Sequence, residues 1–80
     1  TITLRLFAIL RERAGCAEMA LEAPEGATVA DLLASAAPRL RLEPALLARV
    51  RPAVNQEYAV LDQVLADGDE VALIPPVSGG

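Results

Sequence analysis

Histidine, lysine and tryptophan are absent from this 80-residue chain, and cysteine, phenylalanine and tyrosine occur once each. Without histidine the commonest general base and metal ligand is missing, so no independent active site built from nucleophile, base and stabiliser is expected. A lone Cys16 excludes an internal disulfide and a thiolate zinc site. Cys16 reads as a small turn or core residue, with a persulfide carrier as the alternative chemistry. The net charge is −4, and the seven basic residues are scattered, Arg5 alone and the rest in pairs such as Arg11/Arg13 and Arg39/Arg41. Nucleic-acid binding needs a basic footprint with aromatic stacking platforms, and neither is present. No apolar run approaches the roughly 20 residues that span a bilayer, and no charged-then-apolar leader precedes the first strand. A cytoplasmic protein without nucleic-acid or membrane partners is expected.

Every basic side chain is arginine. Codon bias or a heat-adapted composition accounts for this. A chain with an activated acyl end would also benefit from lacking amines that attack it.

What the chain does contain is 54% apolar residues, chiefly Leu, Val, Ile and Ala. A domain of this size buries only about 60% of its unfolded surface, which leaves room for a compact core but not a deep cleft. One domain over residues 1–80 is expected, ending in a flexible arm over 75–80.

Residues 1–9 alternate, with Ile2, Leu4, Leu6 and Ala8 on one face and Arg5 and Phe7 on the other, which predicts a strand. Leu10 to Ala14 suits a helical turn closed by Gly15, and a second strand is expected over 18–23. Pro24-Glu25-Gly26 has turn chemistry. Thr28 and Asp31 have capping-box spacing ahead of Val29, Leu32, Leu33, Ala36 and Leu40, so an amphipathic helix is expected over 28–37, with Pro38 ending it or closing its last turn. A short helical piece follows over 42–49. Strands are then expected over 50–55, near Tyr58 and over 70–74, with Pro52 pointing to a sheet edge or bulge. Periodicity alone gives the class α+β.

Asp67-Gly68-Asp69-Glu70 could suggest a cation site, but the other ligands of a calcium loop are missing and a hairpin turn is the better reading. The Gly79-Gly80 end points to different chemistry. Two residues without Cβ make the narrowest peptide that can thread a tunnel, and an unhindered terminal carboxylate can attack the α-phosphate of ATP. Pro75-Pro76 favours an extended path, and the arm from Pro75 reaches at most about 20 Å. By alternation Phe7 and Ile74 face away from the helix, so with Tyr58 they form an apolar spot of the kind that marks a protein interface. A minor second core beneath residues 42–49 is the competing reading of that spot.

In order along the chain, Leu6-Phe7-Ala8 with Leu10-Arg11-Glu12, Pro24 to Val29 with Asp31-Leu32-Leu33, Val54 to Tyr58, and Asp67 to Ala72 running into Ile74-Pro75-Pro76-Val77-Ser78-Gly79-Gly80 closely resemble the small subunit of molybdopterin synthase. The resemblance implies a β-grasp, ubiquitin-like mixed sheet crossed by one main helix. It implies that an E1-like adenylyltransferase uses ATP to adenylate Gly80, that a sulfur donor enzyme converts the acyl group to a thiocarboxylate, and that no cofactor is bound by this chain. It further implies insertion of the arm into the large synthase subunit within a heterotetramer, where sulfur passes to cyclic pyranopterin monophosphate. Residue by residue, Gly79 and Gly80 match the active tail. Phe7, Tyr58 and Ile74 match apolar partner contacts, Arg11 a recurrent position facing an acidic partner group, and Pro75, Pro76, Val77 and Ser78 the arm. Leu6 and Ile74 stand where many relatives carry aromatics, and Tyr58 replaces a common aliphatic. Related readings are carriers for thiamine, cysteine or tRNA thiolation, and a ubiquitin-like modifier joined to proteins through Gly80.

Overall fold

The computed structural model describes residues 1–76. Along the chain run β1 (Ile2–Leu6), α1 (Ala8–Ala14), β2 (Glu18–Leu21), α2 (Val29–Leu40), α3 (Pro44–Leu47), β3 (Arg51–Val54), β4 (Glu57–Tyr58) and β5 (Glu70–Ile74). The strands form one sheet in the order β2-β1-β5-β3-β4, in which β1 and β5 are parallel and the other neighbours antiparallel. One face of the sheet is covered by α2, and this is the β-grasp arrangement.

Alternation decides which face is covered. Ile2, Leu4 and Leu6 are buried with Val71 and Leu73, while Arg5 is exposed and Thr3 and Ala72 are half-exposed. Onto these residues α2 lays Val29, Leu32, Leu33, Ala36 and Leu40, all buried. Removing a leucine from such a cluster typically costs 2–5 kcal/mol, so this two-layer contact supplies most of the stability. The capping box is present in full: the Asp31 N–H donates to Thr28 Oγ1 at 3.2 Å, and the Thr28 N–H donates to Asp31 Oδ2 at 2.9 Å. The Val29 and Ala30 N–H groups donate to the Gln63 and Leu61 carbonyls, which fastens the 59–64 segment to the start of α2.

Local expectations are corrected at several points. The first strand stops at Leu6, because Ala8 takes φ +50° and turns the chain into α1, which runs to Ala14 and ends on Gly15 at φ +77°. Leu10, not Ala8, is therefore the buried residue at that end. The second strand stops at Leu21 instead of residue 23. Helix α2 continues to Leu40 with Pro38 inside its last turn, and Arg41 at φ +55° ends it.

Pro52 lies neither on the outermost strand nor in a bulge: it is in one-to-one register with Leu73 while β4 forms the edge. Its carbonyl accepts the Ala59 N–H, so the nitrogen that lacks a proton also points toward the β4 side and costs no bond to β5. Asn55 and Gln56, at φ +50° and +74°, make the two-residue turn of the β3–β4 hairpin. The Asp67-Gly68 turn, by contrast, joins no strand pair; it closes through the Asp69 N–H to the Ala66 carbonyl and leads the chain into β5.

Candidate functional site

Because β1 and β5 are parallel, their C-terminal ends lie at the same end of the sheet, and their register aligns Leu6 with Leu73. Phe7 and Ile74 follow one residue later, both on the face away from α2. Phe7 is 45% exposed although it sits at the start of α1, and Ile74 is half-buried. Across β5, Ile74 is in register with Arg51 of β3. Helix α1 leaves from Phe7 and presents Ile9 and Arg11 to solvent. Pro75 and Pro76 depart from this same end, both half-buried. Val77, Ser78, Gly79 and Gly80 lie outside the described residues.

Phe7, Arg11, Ile74, Pro75 and Pro76 are thus gathered at one end of the sheet. Tyr58 shares the open face through its pairing with Ala53, but β3 separates it from Ile74. At 72% exposure it stands on the sheet edge beside the apolar residues Val60 and Leu61. The apolar spot expected from alternation therefore resolves into two neighbouring surfaces. Neither is a second core under residues 42–49, since Phe7 and Tyr58 both face solvent.

Two residues at the arm's root escaped sequence reading. Alternation places Ile9 on a strand that in fact ends at Leu6, and Arg51 acquires its place only through the β3–β5 register. Among the described residues, Arg11 and Arg51 have no carboxylate within ion-pair distance, whereas Arg5 faces Glu70 at 3.6 Å and Arg13 faces Glu43 at 3.2 Å. In a chain of net charge −4, the arm's root is an apolar surface flanked by two arginines that have no carboxylate partner among the described residues.

The opposite end of the sheet is built otherwise. The Ala66 N–H donates to Asp69 Oδ2 at 2.8 Å, the Asn55 amide to Asp69 Oδ1 at 3.0 Å, and the Glu70 N–H to Asn55 Oδ1 at 3.1 Å. These donors hold the Asp69 carboxyl below its ordinary pKa, the Ala66 backbone N–H foremost and the Asn55 amide next. Both Asp69 oxygens are thereby occupied with fastening a turn, and among the described residues no cluster of acidic, histidine or cysteine side chains is placed to hold a metal ion. Cys16 is half-buried and packs against the core.

A β-grasp sheet that presents an apolar face at the root of a C-terminal arm is the architecture of ubiquitin-like carriers and modifiers. The chain belongs to the ThiS family, whose model matches residues 4–80. It is similar to the molybdopterin synthase sulfur carrier subunit of Chlamydomonas reinhardtii, with 43% identity over 84 aligned positions covering 99% of this chain and 98% of that one. Small archaeal modifier protein 1 of Haloferax volcanii is 38% identical over 87 positions, covering 95% and 97%. The crystal structure of SAMP1 from that organism superposes with a TM-score of 0.86 at 34% identity, covering 99% and 98% of the two chains. A chain in the complex of subunits 1 and 2 of molybdopterin-converting factor from Helicobacter pylori superposes with a TM-score of 0.66 at 26% identity, covering 99% and 97%. The resemblance to the molybdopterin synthase small subunit and the β-grasp fold expected from it are both borne out.

Proposed function

We propose that this chain is the sulfur-carrying small subunit of a molybdopterin synthase and that it works through the carboxylate of Gly80. The observation that carries the reading is the placement of the arm: β5 runs straight from the core into Pro75-Pro76, beside the exposed Phe7 and the half-buried Ile74. Docking of a partner on that face would aim the following residues into the partner. End-to-end similarity to a molybdopterin synthase sulfur carrier supports the choice of pathway.

In the proposed cycle, a Gly80 carboxylate oxygen attacks the α-phosphorus of ATP on an E1-like enzyme, giving an acyl adenylate and pyrophosphate. The persulfide of a sulfur donor enzyme attacks the acyl carbon and AMP leaves, because an acyl phosphate departs readily where carboxylate oxygen does not. A thiol of the donor then cleaves the S–S bond of the resulting acyl disulfide and ends in a disulfide as the thiocarboxylate leaves. The resulting thiocarboxylate enters the large subunit and delivers sulfur to cyclic pyranopterin monophosphate, and water restores the carboxylate. Two such deliveries complete the dithiolene. The carrier contributes a reactive atom and its reach; proton transfer and substrate positioning belong to the large subunit, in keeping with the absence of histidine here.

Incubation with ATP, an E1-like activator and a sulfur donor is expected to exchange one terminal oxygen for sulfur, a gain of about 16 Da by intact mass. Deleting Gly80 should leave folding and docking intact and abolish dithiolene formation with a cognate large subunit. An unchanged mass, or sulfur passing to thiazole or tRNA instead, overturns the assignment. Similarity to an archaeal modifier favours a second use, conjugation to proteins, which would be recognised by branched peptides joining Gly80 to lysine.

A further inference from the structure

The second surface, on the β4 edge, is unused by the proposed cycle except at Tyr58. Here the chain lifts three large apolar side chains into solvent in close succession: Tyr58 at 72% exposure, Val60 at 66% and Leu61 at 54%. Such residues on a loose loop would mean little. These are carried on fixed backbone, since the Ala59 N–H donates to the Pro52 carbonyl at 3.1 Å, the Leu61 carbonyl accepts the Ala30 N–H at 2.9 Å and the Gln63 carbonyl accepts the Val29 N–H at 3.0 Å. They form a ridge that does not collapse onto the core. The ridge itself, Tyr58, Val60 and Leu61, forms one wall of an open groove of about 770 Å³ whose other lining includes Leu33 of α2, Leu47 of α3, and Val50 and Pro52 at the start of β3. The lining carries one basic and one acidic side chain, Arg51 and Asp62.

We infer that this ridge and groove form a self-complementary surface on which a second copy of this chain docks about a two-fold axis. In an isologous contact each surface must supply what the other needs. Here an apolar ridge bounds an apolar groove, and one positive side chain is matched by one negative. The ridge of one copy, Val60 and Leu61, enters the Leu33–Leu47 groove of the other, while Arg51 of each copy faces Asp62 of its mate. A partner of strongly one-sided charge would leave either Arg51 or Asp62 opposed. The β4 edge strand, only two residues long, offers too short a ladder to extend the contact into an open sheet. Arg51 is also in register with Ile74 at the arm's root. Self-association would therefore cover part of the surface that a synthase partner uses and would hold the carrier in reserve at high concentration.

The test is sedimentation equilibrium on the unmodified 80-residue chain over a range of concentrations, without ATP, sulfur donor or partner. The mass should rise from monomer to dimer and stop there. Leu61→Glu, and independently Val60→Glu, should raise the dimer dissociation constant at least about tenfold while circular dichroism stays unchanged. Arg51→Asp and Asp62→Arg should each weaken the dimer, and the two together should restore it to within about threefold of the parent. Monomer mass at every concentration up to about 1 mM overturns the inference. So does growth beyond a dimer, a dimer indifferent to both ridge substitutions, or a double reversal no stronger than the single ones. The measurement uses no sulfur chemistry, so it can fail while the carrier reading stands, and the reverse holds too.

Discussion

The two ends of the open sheet face are made from the same strands and do opposite things. At the end where β1 and β5 begin, two hydrogen bonds, from the Asn55 amide to Asp69 and from the Glu70 N–H to Asn55, bind the hairpin turn to the turn before β5, and a third, from the Ala66 N–H to Asp69, closes that turn on itself. At the end where those strands finish, Phe7 is exposed, Ile74 half-buried, and Arg11 and Arg51 lack ion-pair partners among the described residues. Polar groups satisfied within the chain contribute to the fold. Apolar and cationic groups left unsatisfied are available to something else. Location on the sheet thus separates what holds the molecule together from what it offers to a partner, and substitutions at the two ends should separate stability from docking.

The largest effect is expected at the arm's root. Phe7 starts α1 in extended conformation, at a position where Asp or Ser commonly accepts a backbone hydrogen bond, yet it makes no cap bond. Phe7→Asp should therefore leave the melting temperature unchanged or slightly raised. Loss of an aromatic anchor should weaken binding to the large subunit by about 2 kcal/mol, roughly 30-fold in Kd. Calorimetric titration alongside thermal unfolding separates the two quantities. Unaltered affinity would remove Phe7 from the interface, and a large loss of stability would move it to the structural side of the comparison.

A smaller effect, of opposite character, is expected at the other end. Asp69→Ala leaves the Ala66 N–H and the Asn55 amide without their acceptor, and since these bonds are open to solvent the loss should be about 1 kcal/mol of stability. Docking should not change. The pH dependence follows from the lowered pKa of Asp69. A carboxylate that is more acidic in the folded than the unfolded state contributes fully above its unfolded pKa, near 4, and the contribution disappears as pH falls through the folded value. Chemical unfolding at pH 7 and again below pH 3 should show the difference between parent and Asp69→Ala shrinking toward the acid end. A constant difference would mean that the side chain acts by shape and not by charge.

How much of this was legible in the sequence depended on range. The core faces of β1, α2 and β5 follow from alternation and helical period, which need only near neighbours, and the Thr28/Asp31 box marks the start of α2 correctly. The arm was visible because its residue types are unusual in that order. Ala8 gave no sign of its positive φ, since alanine is not the residue that such a turn normally selects, and with it went the placement of Ile9. Pro52 points to an edge or a bulge because a missing N–H warns of a broken ladder; which side of β3 it faces depends on its register with Leu73 of β5, a partner distant in sequence. Residues 59–64 showed no period at all. Their order comes from backbone bonds to α2, which side-chain pattern cannot encode.

The hairpin turn of the structural end allows a finer probe of the comparison, with the smallest expected effect and the opposite sign. Gln56 takes φ +74° at the second of two positive-φ positions in the β3–β4 turn, and its side chain is exposed. A side chain bearing Cβ is strained there, and glycine is the residue such two-residue turns prefer. Replacing it relieves that strain but also enlarges the conformational freedom of the unfolded chain, so the two terms oppose each other. Relief of a left-handed non-glycine residue is worth about 1–2 kcal/mol, against an entropic cost of roughly 0.5–1 kcal/mol, which leaves a net gain near 0.5 kcal/mol for Gln56→Gly. Asn55, whose side chain bonds Asp69 and the Glu70 N–H, must be kept for that gain to appear. In an Asn55→Ala background the turn is no longer fastened to the Asp69 segment, and the benefit of Gln56→Gly should fall. A double-mutant cycle read by denaturant unfolding measures that coupling, and strict additivity would show that the turn and the Asp69 fastening are independent devices.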